Sequence, residues 1–207
     1  QNMYIKKYIQ FFGILSALFL TTACGEDKPS EGNTPIRTIT THLSEFQVEG
    51  ESAPLPGEGE IYDLQACLFE NGLMTEIYTQ FTQQNDQYVF QTSKRAGHLY
   101  ILANIADQLN IQELKAQGIT EEEWQQITLA HADDYISGMI DLGQTDENLL
   151  HLDLERGIAR FDLSIQSSSP VKVNKVVFKN ITQHTFLFPQ NPVTIPAHAE
   201  IKDRSVE

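Results

Sequence analysis

Beyond residue 35 the chain alternates short apolar runs with polar turns. From Ile36 to Val48, the apolar Ile39, Leu43, Phe46 and Val48 are spread among threonines, a pattern that predicts one or two strands. Pro54, Pro56, Gly57 and Gly59 then break the chain into a loop. Ile61–Phe69 carries apolar residues at odd and even positions alike, as a central strand does. Glu70-Asn71-Gly72 follows, and Asn-Gly is a strong hairpin signal because both residues tolerate positive φ. Leu73–Phe81 is the returning strand, and after the polar Thr82–Asp86 comes another at Tyr88–Thr92. The run Leu99-Tyr100-Ile101-Leu102-Ala103-Asn104-Ile105, bounded by Gly97, suits a strand buried on both faces.

Two short helices are predicted next. Asn110 with Glu113 forms one capping pattern, with Gly118 as a stop; Thr120 with Glu123 forms a second. In the second helix Trp124 and Ile127 share one face, which should pack on the sheet. Strands are predicted again at Met139–Leu142, Leu149–Leu154, Gly157–Ile165, Val171–Lys179 and Thr185–Phe188. Gly157–Ile165 alternates most clearly: Ala159, Phe161, Leu163 and Ile165 on one face, Arg160, Asp162 and Ser164 on the other. Many short strands with two short helices predict a mainly all-β chain, an antiparallel β-sandwich.

The first residues follow a different rule. Lys6 and Lys7 precede an apolar run from Ile9 to Leu20, and Leu20-Thr21-Thr22-Ala23-Cys24 closes it. A positive region, about twelve apolar residues and small residues at the end read as a secretory signal over 1–23, too short for a spanning helix of roughly twenty. Met3 is its natural start. Leu-Thr-Thr-Ala-Cys resembles a bacterial lipobox, with cleavage between Ala23 and Cys24 and lipidation of Cys24. Several acyl chains on one residue give a stable anchor where one chain gives only marginal binding. Residues 24–35 then form a flexible tether, polar and rich in Gly and Pro.

Charge and reactive chemistry remove most other functions. The formal net charge is −14, and both leader lysines are lost with the signal, so nucleic acid and anionic headgroups are repelled. With Cys24 lipidated, Cys67 has no partner in the chain; its apolar run makes it a small buried hydrophobe. There is no nucleophile elbow, no phosphate-cradling loop and no His-Glu-x-x-His helix. His131 with Asp133 and Asp134, and the group Asp141, Asp146 and Glu147, are weaker as metal sites than as solvated acidic loops. No enzyme, metal or cofactor is expected. Trp124, the one tryptophan, would be the stacking platform of a glycan-binding protein, but its helix face points it inward.

Four segments together resemble the Bacteroidetes fimbrillin family, the lipoprotein subunits of type V fimbriae. They are the lipobox at Cys24, the strand–Asn-Gly–strand hairpin at Ala66–Ile77, the run Ala96–Asn104 with a helix after it, and Arg156–Leu163 followed by Val173–Asn180 and Phe186–Pro189. Glu26 and Asp27 resemble the surface-export signals of lipoproteins from the same bacteria. The resemblance implies transthyretin-like β-sandwiches, a fimbrial adhesion filament on the outer face of the outer membrane, and joining of subunits by donor-strand exchange. It also implies host or bacterial surface receptors as binding partners, and removal of the first strand by an Arg-specific protease. Arg37 is the candidate processing site, though it lies near the start of the first strand. A subunit that kept that strand would act as an anchor or accessory component. By the same resemblance 36–190 is the N-terminal domain, and 191–207 is a tail or the start of a second domain that the chain does not complete.

Overall fold

The computed structural model describes residues 35–44, 59–130, 134–158 and 163–206. The signal, Cys24 and most of the tether lie outside these residues. The elements in order are β1 (Arg37–Leu43), β2 (Leu64–Glu70), β3 (Leu73–Tyr78), β4 (Thr82–Gln84), β5 (Gln87–Thr92) and β6 (His98–Ala103). Helices α1 (Ile111–Ala116) and α2 (Glu121–Gln125) follow, then β7 (Thr128–Ala130), β8 (Ile136–Asp141) and β9 (Leu149–Arg156). The last strands are β10 (Val176–Thr182), β11 (His184–Phe186) and β12 (Ile201–Val206). The protein is mainly β with two short helices, as its pattern predicts.

Eight strands form one curled sheet in the order β3-β2-β6-β8-β9-β1-β5-β4. It bends at the β8–β9 junction, where only Ile136↔Arg156 and Ser137↔Glu155 pair. The strands on either side of this corner form two leaves. Ile39, Phe90, Leu150 and Leu154 of one leaf share a core with Ala66, Leu68, Leu99, Ile101 and Ile136 of the other. The pairings are antiparallel except between β1 and β9, which run parallel.

The leaf containing β2 and β6 is covered on both faces. Alternate residues Cys67, Phe69, Tyr100 and Leu102 face a second core with Ile111, Trp124, Leu187 and Phe188. This explains why these two strands carry apolar residues on both faces. The hairpin between β2 and β3 turns on Asn71 and Gly72 at φ 53° and 78°, both left-handed, as a two-residue primed turn requires.

The helix ends follow local chemistry. Asn110 accepts from Glu113 N, and Thr120 with Glu123 forms a reciprocal capping box. Gly118, at φ 75°, ends α1: its N–H donates to Lys115 O and that of Ile119 to Leu114 O, the paired bonds of a Schellman motif. Glu121 N donates to Gly72 O at 2.9 Å, which ties α2 to the hairpin. Trp124 is fully buried, its ring 5.6 Å from Phe69 and 5.7 Å from Phe188, so its face of α2 pins the helix to the sheet.

Two predicted strands differ from the structure. Residues 159–162 lie outside the described set, but Leu163–Ile165, the end of the expected Gly157–Ile165 strand, is irregular, with Leu163 and Ile165 exposed. Alternation supplies a face but not a partner, and no described strand pairs with this segment. The expected Val171–Lys179 strand begins only at Val176, where β12 offers an edge. β12 itself is polar in sequence and is a strand through that pairing.

Candidate functional site

The first described strand is an interior strand. β1 pairs with β5 on one side, from Arg37↔Thr92 to His42↔Gln87. On the other side it pairs with β9, from Thr38↔Leu149 to Leu43↔Leu154. Arg37, Ile39 and Thr41 are buried, and the threonines between favour the extended backbone. Ile39 is wholly buried in the core between the leaves, worth about 2–3 kcal/mol. Thr41 donates to Tyr88 O at 3.2 Å, and Thr40 donates to Leu150 O at 3.0 Å, with His151 Nδ1 2.6 Å from the same hydroxyl. Side chains thus reinforce both ladders.

The start of β1 is clamped. Arg37, which the sequence places beside the tether, is fully buried. Its guanidinium donates to the carbonyl oxygens of Leu142, at 2.5 Å, and Thr145, while Nε has no hydrogen-bond partner. From the connection between β5 and β6, Arg95 donates to Pro35 O at 2.5 Å and to Asn148 Oδ1 at 2.6 Å. Thr38 N donates to Asn148 O at 2.8 Å. Arg37 is thereby placed at the start of a three-strand ladder, paired with Thr92 and followed by Thr38, the first residue paired with β9. A protease would reach its peptide bond through local opening of the strand.

The other residues singled out by the sequence fall elsewhere. Cys24 and Ala23 are outside the described residues, as are His131 and Asp133. Asp134 accepts from Arg156 Nη1 at 2.6 Å, and Asp141 accepts from Gly143 N at 2.8 Å. Among the described residues no three His, Cys, Asp or Glu side chains gather closely enough to hold a metal ion. Cys67 is buried, and burial, aided by the nearby Glu121 carboxylate, pushes its thiol pKa well up. Burial also leaves Trp124 with no exposed face on which a sugar could stack.

Two polar networks brace the β2–β6 leaf. Glu121 sits 2.5 Å from His98 Nδ1 and accepts from the Tyr100 hydroxyl at 2.7 Å, while Gln125 donates to that hydroxyl at 2.8 Å. Lys94 bridges Glu70 at 2.8 Å and Glu76 at 3.2 Å. The Lys94 hydrogen bond, with that of Thr75, holds the Glu70 carboxyl below its ordinary range. These contacts tie α2 and the hairpin down.

The fold and site together define a mainly β domain whose first described strand is inserted between two later strands. No family profile matches the chain, and no curated protein matches it. Among solved structures it is similar to a "putative cell adhesion protein" from Bacteroides eggerthii DSM 20697, at 13% identity and a TM-score of 0.43. The match covers 74% of this chain and 53% of that one, so this chain spans about half the length of that protein.

Proposed function

We propose that this protein is a non-catalytic structural subunit of a surface adhesion filament of the fimbrillin type. It is exported as a lipoprotein, held to the outer membrane through Cys24, and joined to other subunits by exchange of its first strand. The observation that carries this reading is the place of β1. It is the first described strand, yet it lies between β9 and β5 and hydrogen-bonds to both. Withdrawing it would open a groove with a ladder edge on each wall and an apolar seat for Ile39 at its floor. An extended strand from another subunit fills such a groove, main-chain bonds giving affinity and alternate side chains giving register.

Arg37 favours a second role within the same assembly. With its guanidinium buried and its carbonyl partners satisfied, β1 is held at its start, and a subunit that keeps this strand serves as an anchor or terminal component.

A site-specific protease sequence inserted between Leu43 and Ser44 separates the two roles. After cleavage, the protein is incubated with a large excess of a fluorescent peptide copying Arg37–Leu43. Uptake of the peptide without loss of the β circular-dichroism signal is expected of a replaceable strand. Retention of the original strand against that excess would leave only the anchor role. Loss of the whole fold on cleavage would sink the exchange reading.

A further inference from the structure

The curled sheet does not close, and its open corner is a cleft of about 900 Å³, within the range of small-molecule sites. β4 covers the outer edge of β5 only from Gln87 to Val89, so Phe90 and Gln91 have no β4 neighbour there. Across the gap stand Ile77 and Tyr78 at the end of β3, and residues 79–81 cross one end of it. The Phe90 ring lies 5.2 Å from Tyr78 and 4.9 Å from Phe81, an aromatic floor of which Tyr78 and Phe81 remain partly exposed. Gln80, Gln84 and Gln91 are exposed and line the rim.

In a chain where charged residues make up 20%, no residue lining this cleft is charged. A primary amide has two donors and an acceptor oxygen, so it matches hydroxyl groups that both give and take hydrogen bonds. Aromatic rings provide the apolar surface that the C–H faces of a sugar ring need, and their edges and faces orient it. An anion would find no cation here, and a cation no carboxylate. Within the cleft an extended peptide would meet only Ile77 and Tyr78 of β3, and Phe90 and Gln91 of β5 beyond β4, too few for a ladder.

We propose that this cleft binds a neutral oligosaccharide, with Tyr78 and Phe81 as the stacking floor and Gln80, Gln84 and Gln91 as the hydrogen-bonding rim. The cleft uses the edge of β5 opposite β1, so the proposal stands apart from strand exchange and can fail without it.

The test is isothermal titration of the purified full chain. The probes are neutral tetrasaccharides of glucose, mannose, galactose or N-acetylglucosamine, their sulfated counterparts, and an uncharged extended peptide. At least one neutral series should bind. Gln80→Ala and Gln84→Ala, both at exposed positions, should each weaken binding about tenfold, the loss of one or two hydrogen bonds. Phe81→Leu, which keeps apolar bulk but loses the ring, should weaken it as well, with an unchanged circular-dichroism spectrum confirming the fold. No binding by any neutral series would overturn the proposal. So would binding indifferent to all three variants, or tighter binding of the sulfated sugars or of the peptide.

Discussion

Gly157 and Tyr135 exclude any side chain at position 157. A β-carbon there would lie 1.6 Å from the Tyr135 ring, and Gly157 N donates to Tyr135 O at 3.0 Å. The buried ring cannot move aside freely, because its hydroxyl donates to Phe186 O at 2.9 Å and so fixes the strand leading to Leu187 and Phe188. Gly157→Ala should therefore cost about 3 kcal/mol, the upper range of an overpacked core. Urea denaturation measures this; a loss under about 0.5 kcal/mol, ordinary for a surface change, would show that the ring has room to give.

Arg37 should resist an arginine-specific protease while β1 is in the sheet. Cleavage after Arg37 should be slow in native buffer and accelerate with sub-denaturing urea, since opening must come first. Mass spectrometry of the released N-terminal fragment reads the rate. Arg37→Ala should also destabilise the domain by about 3 kcal/mol, through two orphaned carbonyls and a cavity.

Acid should weaken the Lys94 bridge. Glu70 has a folded pKa below its unfolded one, so the unfolded state binds more protons in the interval between them. Its contribution is present above the ordinary carboxylate range and is lost as pH falls through the lowered folded value. Because the pair is part-exposed, that contribution is no more than about 1 kcal/mol. In Lys94→Met the dependence of stability on pH should flatten across this interval; an unchanged pH profile would refute the coupling.

Cys67 should be unreactive in the folded protein, its thiolate disfavoured by burial. In a Cys24→Ala chain, where it is the one remaining cysteine, a thiol reagent should modify it only as urea unfolds the domain. Rapid stoichiometric modification in native buffer would contradict the burial.

The same Cys24→Ala chain tests the lipid anchor. It should fail to incorporate radiolabelled palmitate and should leave the membrane fraction, while its circular-dichroism spectrum stays that of a β protein. Membrane retention of the variant would count against lipidation at Cys24.

The elements legible in the sequence are those written locally. Asn71-Gly72, the Thr120–Glu123 box and Gly118 each encode their turn or cap within a few residues, and the double burial of β2 and β6 shows as apolar residues at odd and even positions alike. Partner choice is not local. The parallel pairing of β1 with β9 joins segments with no shared signal, and β12, polar at its four central positions, is a strand only because β10 meets it. Leu163 and Ile165 show the converse, alternation without a neighbour to use it. The site was hidden for the same reason. Arginine reads as a surface residue, and the carbonyls that hold Arg37 lie 105 and 108 positions away. Likewise Gln80 and Phe81 read as the end of a strand and Gln84 as part of a polar connection until the fold sets them beside Phe90.

The seat of β1 has one parallel wall, β9, and one antiparallel wall, β5. The two ladders space and slant their hydrogen bonds differently, so the seat has a direction. A guest segment that satisfies both walls as β1 does must enter with its amino end beside Thr92 and Leu149, and reversing it would mismatch both. A joint of this kind works as an arrow, and a fibre made of many such joints would have two unlike ends, growing by different events at each.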